Sequence, residues 1–223
     1  MEFGQFCPIA KAMEVLGEKW TVLILREILM GSSRFNQLQR GLSLISPAVL
    51  TKRLNSLAEY GLIYKTKLPG QKGYEYLPSP SAKELLPIFL DLGAWGMRWT
   101  RSHLTSLDYD AEFLMLYLQR SVKPENLPGR TTVIRFNFTD FKEQPSWWIV
   151  VSGDQIDVCV LDTGREVDVY FTSTVKCLSN IWMGETTYRK EVEEGNLKLV
   201  GNRALTQNVT SWLSLCQFAK PDS

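Results

Sequence analysis

A chain of 223 residues is long enough for two modest domains or one large one, and its 44% hydrophobic and 22% charged residues are typical of a globular protein. No apolar run approaches the roughly 20 residues needed to cross a bilayer, and the first residues lack the basic and apolar regions of a secretion signal. Four scattered cysteines and a single histidine, His103, form no metal-ligand spacing. We therefore expect a reduced, cytoplasmic protein that needs no metal, no cofactor and no membrane.

The net charge of +1 conceals two halves of opposite sign. Residues 1–107 hold 13 Lys and Arg against 8 Asp and Glu, whereas residues 108–223 hold 12 against 16. A basic half is expected of a module that binds phosphate, whereas an acidic half is repelled by nucleic acid. We therefore predict two domains, 1–107 and 108–223, with the contact to nucleic acid in the first.

The first half of the chain has a regular succession of helix and strand patterns. Helices are predicted over residues 8–16, 19–30, 34–39 and 46–60, and strands over residues 62–67 and 73–77. The two strands flank the turn residues Pro69, Gly70 and Gly73. A short helix, a turn, a longer helix and a two-stranded ribbon, in this order, are typical of a winged helix-turn-helix, which presents one helix and one hairpin to duplex DNA.

The helix over residues 46–60 has clear end signals and two distinct faces. Ser46 can cap it, Pro47 suits its first turn, and Gly61 follows its end. At about 100° per residue, Leu54 and Leu57 fall within about 40° of Leu50, so the three leucines form one buried stripe. The opposite face holds small, polar or basic residues: Ala48, Thr51, Lys52 and Asn55. This segment is the candidate recognition helix.

Individual roles at a DNA surface follow from side-chain chemistry. Asn55 suits adenine and Lys52 suits guanine at the base edges, whereas Thr51 and Ser46 suit a phosphate or a thymine methyl group. Five further cations are expected to hold the phosphate backbone without reading sequence: Arg34, Arg40, Lys65, Lys67 and Lys72. The alternative for any one of these residues is an ordinary solvated surface charge.

A long apolar helix is predicted over residues 82–104, after Pro78 and Pro80. One face carries large or small apolar residues, namely Leu85, Phe89, Leu92, Gly96 and Trp99. A small domain leaves little for so much apolar surface to cover, so we expect dimerisation through this helix and the first one. A two-fold homodimer would present two recognition helices to a pseudo-palindromic DNA site.

Paired residues along the first half carry a family resemblance. They are Cys7-Pro8, Gly17-x-Lys19-Trp20, Arg26-Glu27, Arg34-Phe35, Ile45-Ser46-Pro47 with Leu50, Arg53 and Leu54, Tyr74-x-x-Leu77-Pro78, and Gly93-x-Trp95. In these features the chain resembles HxlR-type transcriptional regulators, a branch of bacterial winged helix-turn-helix proteins, over about residues 5–104. The resemblance implies a cytoplasmic dimer that binds operator DNA and adjusts transcription.

Cys7 is a candidate redox-active thiol. It lies at the start of the first predicted helix, whose positive end stabilises a thiolate, and Lys11 lies one turn further on. The resemblance adds that some HxlR-type regulators sense oxidants or electrophiles with a cysteine in this region. The alternative is a small apolar residue packed near the dimer interface.

The second half alternates strands with helices. Strands are predicted over residues 132–139, 147–153, 156–162, 167–173 and 197–201, and helices over residues 110–122, 175–183, 188–194 and 204–219. These elements predict an α+β domain, in which an antiparallel sheet has its helices gathered on one face.

Four stretches of this half carry a second resemblance: DVCVLD at 157–162, REVDVYFTS at 165–173, Trp182-Met183-Gly184 and EGNLKLVGNRAL at 194–205. They are similar to sterol-carrier-protein-type domains over about residues 110–220. Such domains enclose an apolar tunnel, so the resemblance implies a pocket for a hydrophobic small molecule. Its expected lining is Phe136, Phe138, Trp148, Val158, Val160, Phe171, Leu178, Trp182 and Trp212. The alternatives are a packed core and a rigid dimerisation platform.

Catalysis is not indicated by any motif. The chain has no glycine-rich phosphate loop and no nucleophile elbow, and Asp157, Asp162 and Asp168 alternate outward on strands as solvated residues do. We therefore expect a protein that is not an enzyme. The alternative from another functional class is a carrier of lipids or other hydrophobic ligands fused to a DNA anchor.

Overall fold

The computed structural model describes residues 2–70 and 72–219. The chain divides into two compact units, Met1–Gly96 and Met97–Ser223. This division falls earlier than the predicted boundary near residue 107, which stays a prediction. Among the described residues, no helix is both long enough and apolar enough to cross a membrane.

The first unit contains the predicted helices and ribbon. Its elements are α1 Pro8–Leu16, α2 Thr21–Leu29, α3 Phe35–Gly41, α4 Pro47–Glu59, β1 Ile63–Lys67, β2 Tyr74–Pro78, α5 Pro80–Lys83 and α6 Leu85–Trp99, whose last three residues follow the boundary at Gly96. The predicted bounds of α1 to α4 and of both strands differ from these by no more than the usual uncertainty at element ends. The winged helix-turn-helix prediction is confirmed.

One core holds the first unit together. Its buried residues include Ile24, Leu25 and Ile28 of α2, Leu38 of α3, and Leu50, Leu54 and Leu57 of α4. The three leucines of α4 are almost completely inaccessible, as their spacing predicted. Burying each one contributes about 1.5–3 kcal/mol, and this fixes which face of α4 is left for solvent.

The single helix predicted over residues 82–104 is wrong, because the chain is interrupted twice. α5 ends at Lys83, α6 begins at Leu85, and α6 ends at Trp99. Pro87 explains the first break, because it has no N–H to donate to the carbonyl of Lys83 four residues earlier. A proline is tolerated in the first turn of a helix, so α6 starts just before it.

The second unit is an α+β domain. Its elements are α7 Ala111–Ser121, β3 Thr131–Phe138, β4 Ser146–Ser152, β5 Gln155–Cys159, β6 Val169–Ser173, α8 Val175–Trp182, α9 Tyr188–Glu193, β7 Leu197–Gly201, α10 Arg203–Gln207 and α11 Val209–Trp212, with short 3-10 turns at Arg101–His103, Ser106–Asp108 and Pro124–Asn126. The α+β class is confirmed, including the fifth strand.

The helix predicted over residues 204–219 is replaced by α10 and α11. Asn208 lies between them, and its Nδ2 donates a hydrogen bond to the Ala204 carbonyl (3.0 Å). The Ser211 hydroxyl in turn donates to the Asn208 carbonyl (2.7 Å). Side chains of this kind compete with backbone N–H groups for helical carbonyls, which accounts for the interruption.

The sheet of the second unit has the strand order β5-β4-β3-β6-β7. Three of its neighbouring pairs are antiparallel, as expected, but β3 and β6 are parallel. The sheet is therefore mixed. The reason is the connection after β5, which carries the chain from one edge of the sheet past β4 and β3, so that β6 runs in the same direction as β3.

The two faces of this sheet are covered differently. One face contributes Phe136, Ile149 and Phe171 to a large core that it shares with residues of all five helices from α7 to α11. The other face carries a small cluster around Val133, Trp148 and Val150, to which the helices contribute no described residue. The helices are thus gathered on one face, as the sequence predicted.

Candidate nucleic-acid interface

The candidate recognition helix is α4, and its first turn is fixed by its own residues. Ser46 Oγ accepts a hydrogen bond from the Val49 N–H (3.3 Å), and Pro47 occupies the first helical position. Since the leucine stripe faces the core, the opposite side of α4 is left in solvent. The exposed residues on that side include Ala48, Thr51, Lys52 and Asn55.

The two hydroxyl groups of this helix differ in what they can still bind. Thr51 Oγ1 donates to the Pro47 carbonyl (2.8 Å), so its proton is engaged while its lone pairs and methyl group remain outside. Ser46 Oγ accepts from the backbone, so its proton is free to donate. The cap serine therefore suits a phosphate oxygen, and the threonine methyl group suits an apolar base edge.

The strands β1 and β2 form a wing that is hydrogen-bonded to the helical part of the first unit at two points. The Tyr76 N–H donates to the Ser33 carbonyl (2.8 Å), which attaches β2 to the segment before α3. Lys65 Nζ of β1 donates to Asn55 Oδ1 of α4 (2.9 Å) and lies 4.3 Å from the centre of the Tyr74 ring. This cation therefore lies between the helix and the wing and orients the Asn55 carboxamide, leaving its Nδ2 to other partners.

The remaining predicted cations occupy the same half of the chain. Arg40, Lys67 and Lys72 are exposed, and Arg34 is half-buried at the start of α3. Arg53 also contributes to the positive charge of the sequence motif, but it holds the fold instead. Its Nε donates to the Lys19 carbonyl (3.2 Å) and its guanidinium pairs with the carboxylate of Glu18, which anchors α4 to the turn between α1 and α2.

A buried ion pair between Arg26 and Glu27 was not predicted from the sequence. Glu27 of α2 is completely inaccessible, and its Oε1 accepts from Arg26 Nε (3.1 Å) and Nη2 (2.9 Å). Gly41, the last residue of α3, lies directly against this carboxyl group. A Cβ atom built on Gly41 would lie only 2.3 Å from Glu27 Oε2. The available signal was a glutamate within the apolar segment TVLILREIL.

Cys7 is exposed and directly precedes α1. The nearby Lys11 is not a free cation, because its Nζ binds both carboxylate oxygens of Glu14 (2.9 and 3.0 Å). The backbone N–H of Phe3 and, after it, Lys11 hold the pKa of Glu14 below its usual value. The positive charge that was expected to act on the Cys7 thiol is therefore shared with a carboxylate.

The expected pocket lining of the second unit is divided by the fold. Seven of its members share the large core: Phe136, Phe138, Val158, Phe171, Leu178, Trp182 and Trp212. Two of them, Phe136 and Phe171, stack with ring centroids 4.8 Å apart. Trp182 Nε1 donates to Ser121 Oγ (2.9 Å).

Trp148 and Val160 do not join that core. Trp148 belongs to the cluster on the opposite face of the sheet, and Val160 is 46% exposed just beyond the end of β5. Successive side chains of a strand alternate between faces, and the continuous apolar run of β4 hid which of Trp147 and Trp148 points inward. Among the described residues, no group of three His, Cys, Asp or Glu side chains could hold a metal ion.

A short helix, a turn, a capped helix with a solvent-facing polar side and an attached two-stranded wing define the class of winged helix-turn-helix transcriptional regulators. The family model described as HxlR-like helix-turn-helix matches residues 15–104. The chain belongs to this family. Residues 114–214 match a second model, the SCP-2 sterol transfer family, so the second unit carries an SCP-2-like domain.

Curated relatives match the first half of the chain. The HTH-type transcriptional regulator YvaP of Bacillus subtilis is 31% identical over 101 residues, which cover 44% of this chain and 94% of YvaP. The HTH-type transcriptional regulator sll1512 of Synechocystis is 32% identical over 99 residues, covering 44% of this chain and 73% of the relative. The structure of the reduced form of the regulator YodB from B. subtilis is 24% identical, with a TM-score of 0.38, and covers 44% of this chain and 98% of YodB.

Proposed function

We propose that this HxlR-type regulator binds a pseudo-palindromic operator in the cytoplasm as a homodimer, and that a hydrophobic small molecule in its second unit modulates binding. The observation that carries the proposal is the division of α4 into two faces. Leu50, Leu54 and Leu57 are buried, while the side with Lys52 and Asn55 is free to enter a major groove. We propose no catalytic role.

Base recognition is assigned to Lys52 and Asn55. An asparagine carboxamide can accept from N6 and donate to N7 of adenine, and the hydrogen bond from Lys65 holds the Asn55 group ready for this. Lys52 can donate to O6 and N7 of guanine. Ala48 has a small side chain and Pro47 has a compact ring, so both allow α4 to approach the bases.

Binding of the DNA phosphate backbone is assigned to five cationic side chains: Arg34, Arg40, Lys65, Lys67 and Lys72. Each neutralised phosphate contributes about 0.9 to the slope of log K against log salt concentration. Ten such contacts in a dimer would give a slope of about −9, which is an upper limit. Ser46 adds a neutral donor at the positive end of α4.

Dimerisation is supported by apolar surface on α6. None of its residues is buried, and large side chains spaced by three or four residues are exposed on one side: Ile88 (58%), Leu92 (52%), Trp95 (50%) and Trp99 (67%). Ile9 and Met13 of α1 are also exposed. Leu85 and Phe89, predicted on the dimer face, instead pack against the core of the first unit. A second copy of the chain is the proposed cover for the exposed residues.

Two alternatives rest on particular observations. A role as a carrier of hydrophobic ligands is favoured by the SCP-2-like domain, and it predicts a bound ligand without any operator preference. A thiol sensor is favoured by the exposure of Cys7, and it predicts that an oxidant weakens operator binding in the wild type but not in Cys7→Ser. The thiol-sensor alternative keeps the role of α4 in operator recognition, whereas the carrier alternative replaces it with DNA binding that has no sequence preference.

The proposal is tested by selecting genomic fragments with the purified chain and measuring their affinity across a series of salt concentrations. We expect one or a few fragments with imperfect two-fold symmetry and a steep salt dependence. Lys67→Ala should reduce the slope by about 2, because a dimer loses two contacts, whereas the control Lys142→Ala in the second unit should not change it. Equal affinity for all fragments would refute operator recognition.

A further inference from the structure

The turn between α3 and α4 presents a leucine to solvent. Residues 42–45 form this turn, which is closed by a hydrogen bond from the Ile45 N–H to the Leu42 carbonyl (2.9 Å). Leu42 and Ile45 are both buried in the core of the first unit. Leu44 lies between these two anchors and is 86% exposed. The turn therefore holds Leu44 in a fixed place with its side chain outside the core.

The position of Leu44 is more informative than its exposure, since single exposed leucines are ordinary on protein surfaces. Leu44 lies two residues before Ser46, the cap of α4, so the two Cα atoms are at most about 7 Å apart. Arg40, in the last turn of α3, lies four residues before Leu44 and is exposed. Leu44 therefore lies between a cation and a hydroxyl group that both suit phosphate.

The docking geometry of helix-turn-helix proteins brings this turn close to the bases. The first residues of a recognition helix contact base edges, while the helix before it crosses the DNA backbone. The turn that joins the two helices then lies where the chain enters the major groove. In the proposed complex, Leu44 is at this entrance, next to the exposed first turn of α4 with Pro47 and Ala48.

The chemistry of a leucine side chain limits what it can contact there. Leucine has neither a hydrogen-bond donor nor a charge, so placing it on a phosphate would remove water from the anion without replacing it. Most groups on the base edges of the major groove are donors or acceptors, and the C5-methyl group of thymine is the apolar exception. A thymine methyl group is therefore the DNA feature that Leu44 fits.

We propose that Leu44 packs against the C5-methyl group of a thymine in each operator half-site and so contributes to sequence recognition. This inference deepens the proposed operator binding and rests on it. It adds an apolar contact from the turn to the polar contacts assigned to Lys52 and Asn55 of α4. Two-fold symmetry of the proposed homodimer would place one such thymine at equivalent positions of the two half-sites.

The experiment uses the full chain and the operator duplex selected from genomic fragments. Deoxyuridine replaces the thymines of the operator one position at a time, first in one half-site and then in both. Uracil pairs with adenine as thymine does and lacks only the methyl group. The protein variants are Leu44→Ala and the matched control Leu161→Ala, at a leucine of the second unit that is 78% exposed. Alanine suits the turn, because the φ angle of Leu44 is not positive.

We expect one thymine position at which uracil weakens binding of the wild type by about four-fold per half-site, the value of one buried methyl group. Replacement in both half-sites should then weaken binding by about fifteen-fold. Leu161→Ala should respond as the wild type does. Leu44→Ala should bind the thymine operator at least about fifteen-fold more weakly, and uracil at that position should have no further effect. Its salt dependence should equal that of the wild type, because no phosphate contact is lost.

The inference is overturned if uracil has the same effect on the wild type and on Leu44→Ala at every position, or no effect at any. A Leu44→Ala variant with altered self-association and unchanged sensitivity to uracil would assign the leucine to a protein contact instead. If the wild type selects an operator but shows no Leu44-dependent response to uracil, operator recognition stands and only this inference fails. If no operator is selected, both fail.

Discussion

Gly41 of α3 lies directly against the buried carboxyl group of Glu27 in α2, where the absence of a side chain at Gly41 makes room for it. A Cβ atom at Gly41 would lie 2.3 Å from Glu27 Oε2 and 2.5 Å from Glu27 Cδ. Glu27 is completely buried and held by Arg26 Nη2 at 2.9 Å, so the carboxyl group cannot simply turn away. Gly41→Ala must therefore either force the helices apart or disturb the ion pair.

The expected cost follows from two opposing contributions. Overpacking a close contact typically costs about 1–3 kcal/mol, and disturbing a buried ion pair adds to that figure. Replacing a helical glycine by alanine gains at most about 1 kcal/mol, and less at the last residue of a helix such as α3. We therefore expect Gly41→Ala to lower the free energy of unfolding of the first unit by about 2 kcal/mol.

A double-mutant cycle in urea, followed by far-UV circular dichroism of the full chain, checks this reasoning. Glu27→Ala removes the atoms that a Cβ at Gly41 would meet, so Gly41→Ala in that background should be neutral or slightly stabilising. The predicted signature is a change of sign between the two backgrounds. If Gly41→Ala costs the same in both, the contact with Glu27 is not what requires a glycine.

Three other outcomes are expected. If the chain forms the proposed homodimer, Leu92→Glu on α6 should make it monomeric in analytical ultracentrifugation, while the neighbouring Asp91→Ala should leave it dimeric. A dimeric Leu92→Glu would remove α6 from the proposed interface. Iodoacetamide at pH 8 should alkylate Cys7 and spare Cys177, because burial and then Glu191 raise the pKa of Cys177 to about 12; mass spectrometry that found equal modification would contradict this. The Glu191 carboxylate accepts from Thr186 first and then from Asn196, which lowers its pKa, so its stabilising contribution is present above its unfolded pKa and is lost as the pH falls through the folded value. Glu191→Gln should therefore melt at a lower temperature than the wild type at pH 7, by a margin that shrinks toward pH 3; a margin independent of pH would contradict this.

Local signals made the first unit predictable. Ser46, Pro47 and Gly61 mark the ends of α4 through contacts within a few residues, and the leucine spacing fixes its buried face. The break before α6 was also encoded locally, in Pro87, although the length of the apolar pattern concealed it. Features that depend on distant residues could not be predicted from the sequence. Examples are the pairing of Arg53 with Glu18 and the close contact of Glu27 with Gly41.

The second unit shows the same limit more clearly. Its strands were predictable from composition and turn residues, but the parallel pairing of β3 with β6 depends on a connection that leaves no local pattern. The inward face of β4 could not be read from a run in which Trp147, Trp148 and the following residues are all apolar. The phenolic oxygen of Tyr188 has no hydrogen-bond partner within residues 2–70 and 72–219, and this too is a property of packing that the sequence does not show.

Operator discrimination by a Lys52→Ala/Asn55→Ala variant tests the central claim most directly. Fluorescence anisotropy would compare the affinities of the wild type and the variant for the selected operator and for a scrambled duplex, with circular dichroism as the control for folding. Loss of one good base contact removes about 1–3 kcal/mol of discrimination, so the variant should bind both duplexes with nearly equal, weak affinity. A correctly folded variant that still prefers the operator as strongly as the wild type does would contradict the assignment of α4 as the recognition helix.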